Sequence, residues 1–136
     1  MKYKVLFITA LGLLLALSSC HFQQILKKGT VDEKYDAAIK LYEQKDYSRA
    51  LQLFDQIVGA MRATDKAQKI HFYYAYCYYN QKDYTLASYY FKRYSTTFPN
   101  TPEAEECLFM SAYCNVLNSP DYTLDQTTTY DAIKDL

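Results

Sequence analysis

Among side chains able to do chemistry, four thiols (Cys20, Cys77, Cys107 and Cys114) and two imidazoles (His21 and His71) are the candidates in 136 residues. A nucleophile needs a base within hydrogen-bond reach, and a metal needs several donors at ligand spacing. Neither histidine stands at such a spacing from a nucleophile or a second ligand. Glu105 and Glu106 are paired carboxylates, but with Glu103 they follow Pro102 at the opening of an expected helix, where the helix dipole accounts for them. No catalytic residue, metal site or cofactor is assigned, and the chain reads as non-enzymatic. Cys77 and Cys114 are 37 residues apart at equivalent places on successive helices, hence roughly 10 Å apart at helix-packing distance. Cys107 and Cys114, seven residues apart in one helix, are also about 10 Å apart, beyond the ~7 Å a disulfide allows. All three are expected to be unpaired, buried small hydrophobes.

Cys20 has a different setting. Lys2 and Lys4 precede an apolar run of 13 residues, Val5 to Leu17, which leads into Ser18-Ser19-Cys20. Crossing a bilayer takes about 20 residues, so residues 1–19 read as an export signal that is removed. Leu17-Ser18-Ser19-Cys20 resembles a bacterial lipobox. That resemblance implies that Cys20 becomes the first mature residue, carrying a diacylglycerol thioether and an N-acyl chain, and that the chain is anchored on a membrane without crossing it. One myristoyl chain gives only marginal binding, whereas several acyl chains hold stably. Some bacteria retain lipoproteins at the inner membrane through an Asp after the cysteine; His21 stands there instead, which favours the outer membrane.

Removing 19 of 136 residues leaves 117, a single-domain length, with 13 basic against 15 acidic residues and a net charge of about −2. No nucleic-acid-binding face follows. Lys27 and Lys28 stand close enough to the anchor to meet anionic headgroups, each worth roughly 1 kcal/mol, but the plainer reading of residues 20–30 is a flexible, lipidated tether. Sixteen tyrosines and seven phenylalanines, with three glycines and three prolines, describe an aromatic chain with few breakers, hence long helices with short connections.

Gln44-Lys45-Asp46-Tyr47 recurs as Gln81-Lys82-Asp83-Tyr84, 37 residues later, and the match continues through Ala50/Ala87 to Phe54/Phe91. Ala38 and Ala75 lie 12 residues before Ala50 and Ala87, placing small residues where two helices approach. The unit is a repeated helical hairpin. Its spacing resembles the tetratricopeptide repeat, with Pro99 closing the second unit. The expected fold is all-α, a superhelix of antiparallel helix pairs: repeats over 31–64 and 65–101 and a third, 102–136, that the sequence leaves incomplete. Helices are expected near 31–44, 47–61, 65–80, 84–97 and 102–117, with Asp46 and Asp83 as N-caps and Thr101 before Pro102 at a first helical position. Ala132, Ile133 and Leu136 form an apolar stripe with nothing after it to bury it, which reads as a fragment of a longer protein or as one with a premature stop.

Concave positions of such repeats fall to Asp32, Tyr35, Ile39 and Tyr42; to Lys69, Phe72, Tyr76 and Tyr79; and to Glu106, Phe109, Tyr113 and Val116. An aromatic lining of this extent marks an interaction surface. Tyr35, Ile39, Tyr42, Phe72, Tyr76, Tyr79, Phe109 and Tyr113 are the candidate peptide-binding groove. Padding between repeats is the competing role, and it is the favoured one for Tyr73, Tyr74, Tyr78, Tyr90 and Tyr94.

The lipobox, the stretch Phe22 to Lys28, the run Tyr78 to Tyr84, Ala87 to Lys92, and the loop Ser119-Pro120-Asp121 with Leu124-Asp125-Gln126 together resemble the BamD family of outer-membrane protein assembly lipoproteins. The resemblance implies five repeats held at the periplasmic face of the outer membrane, and a role in inserting β-barrel proteins. The partners it implies are the barrel-forming subunit of the assembly machinery and unfolded outer-membrane proteins. A periplasmic repeat scaffold serving cell-envelope coordination is the alternative. A surface lipoprotein stacking glycans on its rings is a remoter one, against which the absence of tryptophan counts.

Overall fold

The computed structural model describes residues 21–62, 64, 66–119 and 127–135, except the side chains of 128, 131, 132 and 135. The signal segment, Cys20, the Leu124-Asp125-Gln126 loop and Leu136 lie outside the described residues. All regular structure among the described residues is helical: α1 over 21–28, α2 Val31–Glu43, α3 Tyr47–Ile57, α4 Lys66–Asn80, α5 Tyr84–Thr97, α6 Glu103–Leu117 and α7 Thr127–Asp135. Helices α2/α3, α4/α5 and α6/α7 pair as hairpins, and consecutive hairpins stack through α3 against α4 and α5 against α6. The first helix of each hairpin touches the first helix of the next, α2 on α4 and α4 on α6, giving the inner layer of a tetratricopeptide-like repeat.

The recurring Gln-Lys-Asp-Tyr stretch has a separate task for each residue. Lys45 and Lys82 take left-handed φ of 62° and 64°. The Lys45 N–H donates to Tyr42 O at 2.9 Å and Asp46 N–H to Leu41 O at 2.9 Å, with the same pattern from Lys82 to Tyr79 and Asp83 to Tyr78. This double bond pattern with a left-handed residue is a Schellman ending. Each Asp then opens the next helix: Asp46 Oδ1 accepts from Arg49 N–H at 3.2 Å and Asp83 Oδ1 from Leu86 N–H at 3.1 Å. One carboxylate thus joins a finished helix to a new one. The neighbouring Arg49 side chain, its Nε 2.6 Å from Oδ2, holds the Asp46 carboxyl below the usual carboxylate range. Asp83→Ala is expected to lower unfolding stability by about 1 kcal/mol, the usual worth of a cap, read as a fall in the urea midpoint.

Helix α6 begins differently from expectation. It starts at Glu103, Pro102 already has helical φ and ψ, and no side chain caps it. The Thr101 hydroxyl donates instead to Phe98 O at 2.9 Å. Thr101 thus serves the end of α5 and not the start of α6.

The expected flexible tether is corrected. Residues 21–28 are helical, Phe22 is buried, and Ile25 and Leu26 pack on the core of the first hairpin. The Arg49 guanidinium carbon sits 5.5 Å from the centre of the Phe22 ring. Phe22, Ile25, Leu26 and Gly29 recur at helical spacing, so one stripe of α1 is apolar and covers the open side of the hairpin. A Cβ on Gly29 would stand 2.5 Å from the Ile25 carbonyl oxygen, so only glycine lets α1 end in so close a turn. Thr30 then starts α2 with a capping box: Glu33 N–H donates to Thr30 Oγ1 at 3.3 Å, and Thr30 N–H to Glu33 Oε2 at 2.7 Å.

The repeated alanines Ala38, Ala50, Ala75, Ala87 and Ala112 are all fully buried, where helix backbones meet. Two cores result, one around Phe54, Leu53, Ile57 and Ile70, the other around Phe91, Tyr94, Cys107 and Cys114. Between α5 and α6 lies a reciprocal pair: Ser88 Oγ donates to Ser111 O and Ser111 Oγ to Ser88 O, each at 3.0 Å. Helix α7 packs on α6 but leaves Tyr130 and Ile133 exposed.

Cys77, Cys107 and Cys114 are free and buried. Burial pushes their thiols up to about 12, about 12 and about 11. A raised thiol stabilises the fold fully below its unfolded value, near 9.0, and that contribution is lost as pH climbs toward 11 and beyond. The native protein is expected to resist alkylation at pH 8 and to react quickly in urea, and its urea midpoint should fall between pH 8 and pH 10.5.

Candidate peptide-binding trough

The inner layer positions the candidate residues through the hairpin geometry. On α4, Phe72, Tyr76 and Tyr79 succeed one another along one face at helical spacing. Phe72 and Tyr76 ring centres are 4.8 Å apart, and those of Tyr76 and Tyr79 6.2 Å apart. Their backs rest on the outer helix: Tyr76 and Tyr79 contact Phe91 at 4.9 and 6.5 Å, and Phe72 contacts Tyr94 at 5.9 Å. These three rings are half-buried, partly wedge and partly lining.

Helix α2 contributes Tyr35, Ile39 and Tyr42, all half-buried. Tyr42 meets Tyr73 of α4 at 4.7 Å and Tyr47 at 5.5 Å, and burial raises its hydroxyl to about 12. Tyr35 joins α4 through a cation: Lys66 Nζ lies 4.7 Å from its ring centre and 2.7 Å from Asp32 Oδ1. Tyr35 thus stacks on a lysine and not on another ring of the lining.

Helix α6 supplies the open end. Phe109 and Tyr113 are 57% and 39% exposed, with ring planes within 6° and centres 6.1 Å apart. Val116 continues the stripe at 47% exposure. The Tyr76 hydroxyl donates to the Glu106 carboxylate, tying α4 to α6. Burial and this bond both raise the Tyr76 pKa, so the hydroxyl stays protonated and committed to Glu106.

The lining of α2 and α4 is half-buried and that of α6 exposed, so the lining ends in two stacked, accessible rings. Such a surface offers flat apolar area and hydroxyls for a peptide backbone. Among the described residues no cluster of His, Cys, Asp and Glu could hold a metal ion, and none of their helices is long and apolar enough to cross a membrane.

Padding claims the other tyrosines. Tyr78 and Tyr90 stack at 5.2 Å, and the Tyr74 hydroxyl donates to Asp55 of the preceding hairpin. Sequence reasoning missed Lys66 and Asp55 as cross-hairpin partners. Lys66 stands 34 residues after Asp32, a usual repeat length, which was the available signal. Leu108 and Tyr89, at 44% and 57% exposure, were also missed, because they lie off the concave positions. Cys20 lies outside the described residues.

A family model, YfiO, described as an outer membrane lipoprotein, matches residues 27–136. No curated protein matches the chain.

Proposed function

The chain belongs to the YfiO family of outer membrane lipoproteins, and on that premise we propose that it is a non-catalytic subunit of the outer-membrane β-barrel assembly machinery. In this reading the trough of α2, α4 and α6 receives signals in unfolded barrel proteins, and the chain docks on the barrel-forming subunit. Acyl chains on Cys20 hold it at the periplasmic face of the membrane. The observation that carries the reading is the set of aromatics on the first helices of three successive hairpins, ending in the exposed Phe109–Tyr113 stack. Strands of barrel proteins alternate apolar and polar residues and carry aromatic girdles, so an extended segment can set its rings on this floor while polar groups face water.

The test is binding of a labelled peptide from the last strand of a barrel protein. The folded chain is expected to bind it in the micromolar range and to bind a sequence-scrambled peptide at least tenfold more weakly. Equal binding of both peptides, or none, would sink the peptide-trough reading.

A further inference from the structure

The start of the mature chain and the turns of the hairpins lie at one pole of the molecule. His21 and Phe22 line a concavity with Lys40, Gln44 and Arg49. Gln44 and Lys45 line a second with Tyr47 and Gln81. The Asn118 side-chain amide donates to Thr85 Oγ1 at 3.2 Å, bringing the end of α6 to the same level. The loops between hairpins, around Thr30, Arg62 and Asn100, occupy the opposite pole.

One peptide bond joins Cys20 to His21, the first residue of α1. Because α1 is packed by Phe22, Ile25 and Leu26 and held under Arg49, an acyl anchor on Cys20 has almost no slack. A floppy tether would let the hairpins tumble beneath the bilayer; a docked helix does not.

We infer that the pole bearing the Lys45 and Lys82 turns lies against the phospholipid headgroups, so that the hairpins stand on their turns and the aromatic trough opens sideways, parallel to the membrane. This rests on the anchoring of Cys20 given above. Headgroup phosphates are the partner chemistry. Lys45 and Lys82 are exposed and point off left-handed turns. Asp46 and Asp83 beside them direct a carboxylate oxygen to the N–H groups of α3 and α5. Glu43 is exposed at this pole as well, against Lys40, Lys45 and Lys82.

The acylated full chain, reconstituted in phosphatidylethanolamine and phosphatidylglycerol vesicles containing a headgroup-nitroxide lipid, tests this. A bimane label is placed at Gln81→Cys or at Asn100→Cys; α5, with 14 residues between the two, separates them by about 21 Å. Quenching is expected to be at least threefold greater at 81 than at 100, and Phe22→Ala, which frees α1, should bring the ratio close to one. A ratio near one in the unmodified background, or stronger quenching at 100, overturns the orientation alone. An unchanged ratio in Phe22→Ala overturns the docked helix as its cause. An acylated chain that fails to float with the vesicles, or floats no better than Cys20→Ala, overturns the anchor and this inference with it.

Discussion

Phe91→Ala is expected to remove about 3–5 kcal/mol of unfolding stability, the usual cost of emptying a core aromatic site. Phe91 is fully buried in the second core, and its ring supports both Tyr76 and Tyr79. A domain of this size holds only about 5–15 kcal/mol in total, so the variant should be near unfolding at 37 °C. Urea titration followed by circular dichroism measures the loss. Tyr89→Ala, two residues away on the opposite face of the same helix and 57% exposed, should stay within about 0.5 kcal/mol of the parent, as surface substitutions do. A loss below 1 kcal/mol at Phe91 would mean that the second core is not the closed cluster described. Any peptide binding lost with Phe91→Ala would be ambiguous, because the floor of the trough falls with its support.

The variant that isolates recognition is Phe109→Ala with Tyr113→Ala. Both rings are exposed and stack on each other, so removing them opens no core cavity, and the urea midpoint should move little. If they anchor a strand peptide, affinity should fall about 30-fold, the effect of losing an interface hot spot. Tyr76→Ala with Tyr79→Ala should also weaken binding, but with a clear loss of stability, since those rings press on Phe91. Unchanged affinity in the stable α6 variant would remove α6 from the binding surface.

How much of this was legible in the sequence depended on repetition. The ends of α2 and α4 and the starts of α3 and α5 follow from two copies of one motif, and both aspartate caps stand where the motif puts them, whereas α3 stops at Ile57, four residues before the expected 61. The repeated alanines were legible for the same reason, since a position that must be small in one hairpin must be small in the next. Helix α1 has no second copy. Its stripe of Phe22, Ile25 and Leu26 was present, but eight residues beside an expected lipid anchor read equally well as a tether, and only tertiary packing decides so short a helix. The Thr101 hydroxyl does not cap α6 because it is spent on the end of α5, donating to Phe98 O. The aromatic lining was legible as a set, but not the exposure of each ring. That depends on how deeply α5 wedges under α4, a distance the spacing of residues along one helix does not contain. The Tyr74–Asp55 bond between hairpins was invisible for that reason as well.

The Ser88–Ser111 contact has a consequence for shape. Two hydroxyls, each bonded to the other helix's carbonyl, fix how near α5 and α6 can come and forbid sliding along their axes, since a shift of one residue breaks both bonds together. The seating of the third hairpin on the second is thus held at one seam by a few atoms. A methyl group added to either serine would push α6 away from α5 and carry the Phe109–Tyr113 stack with it.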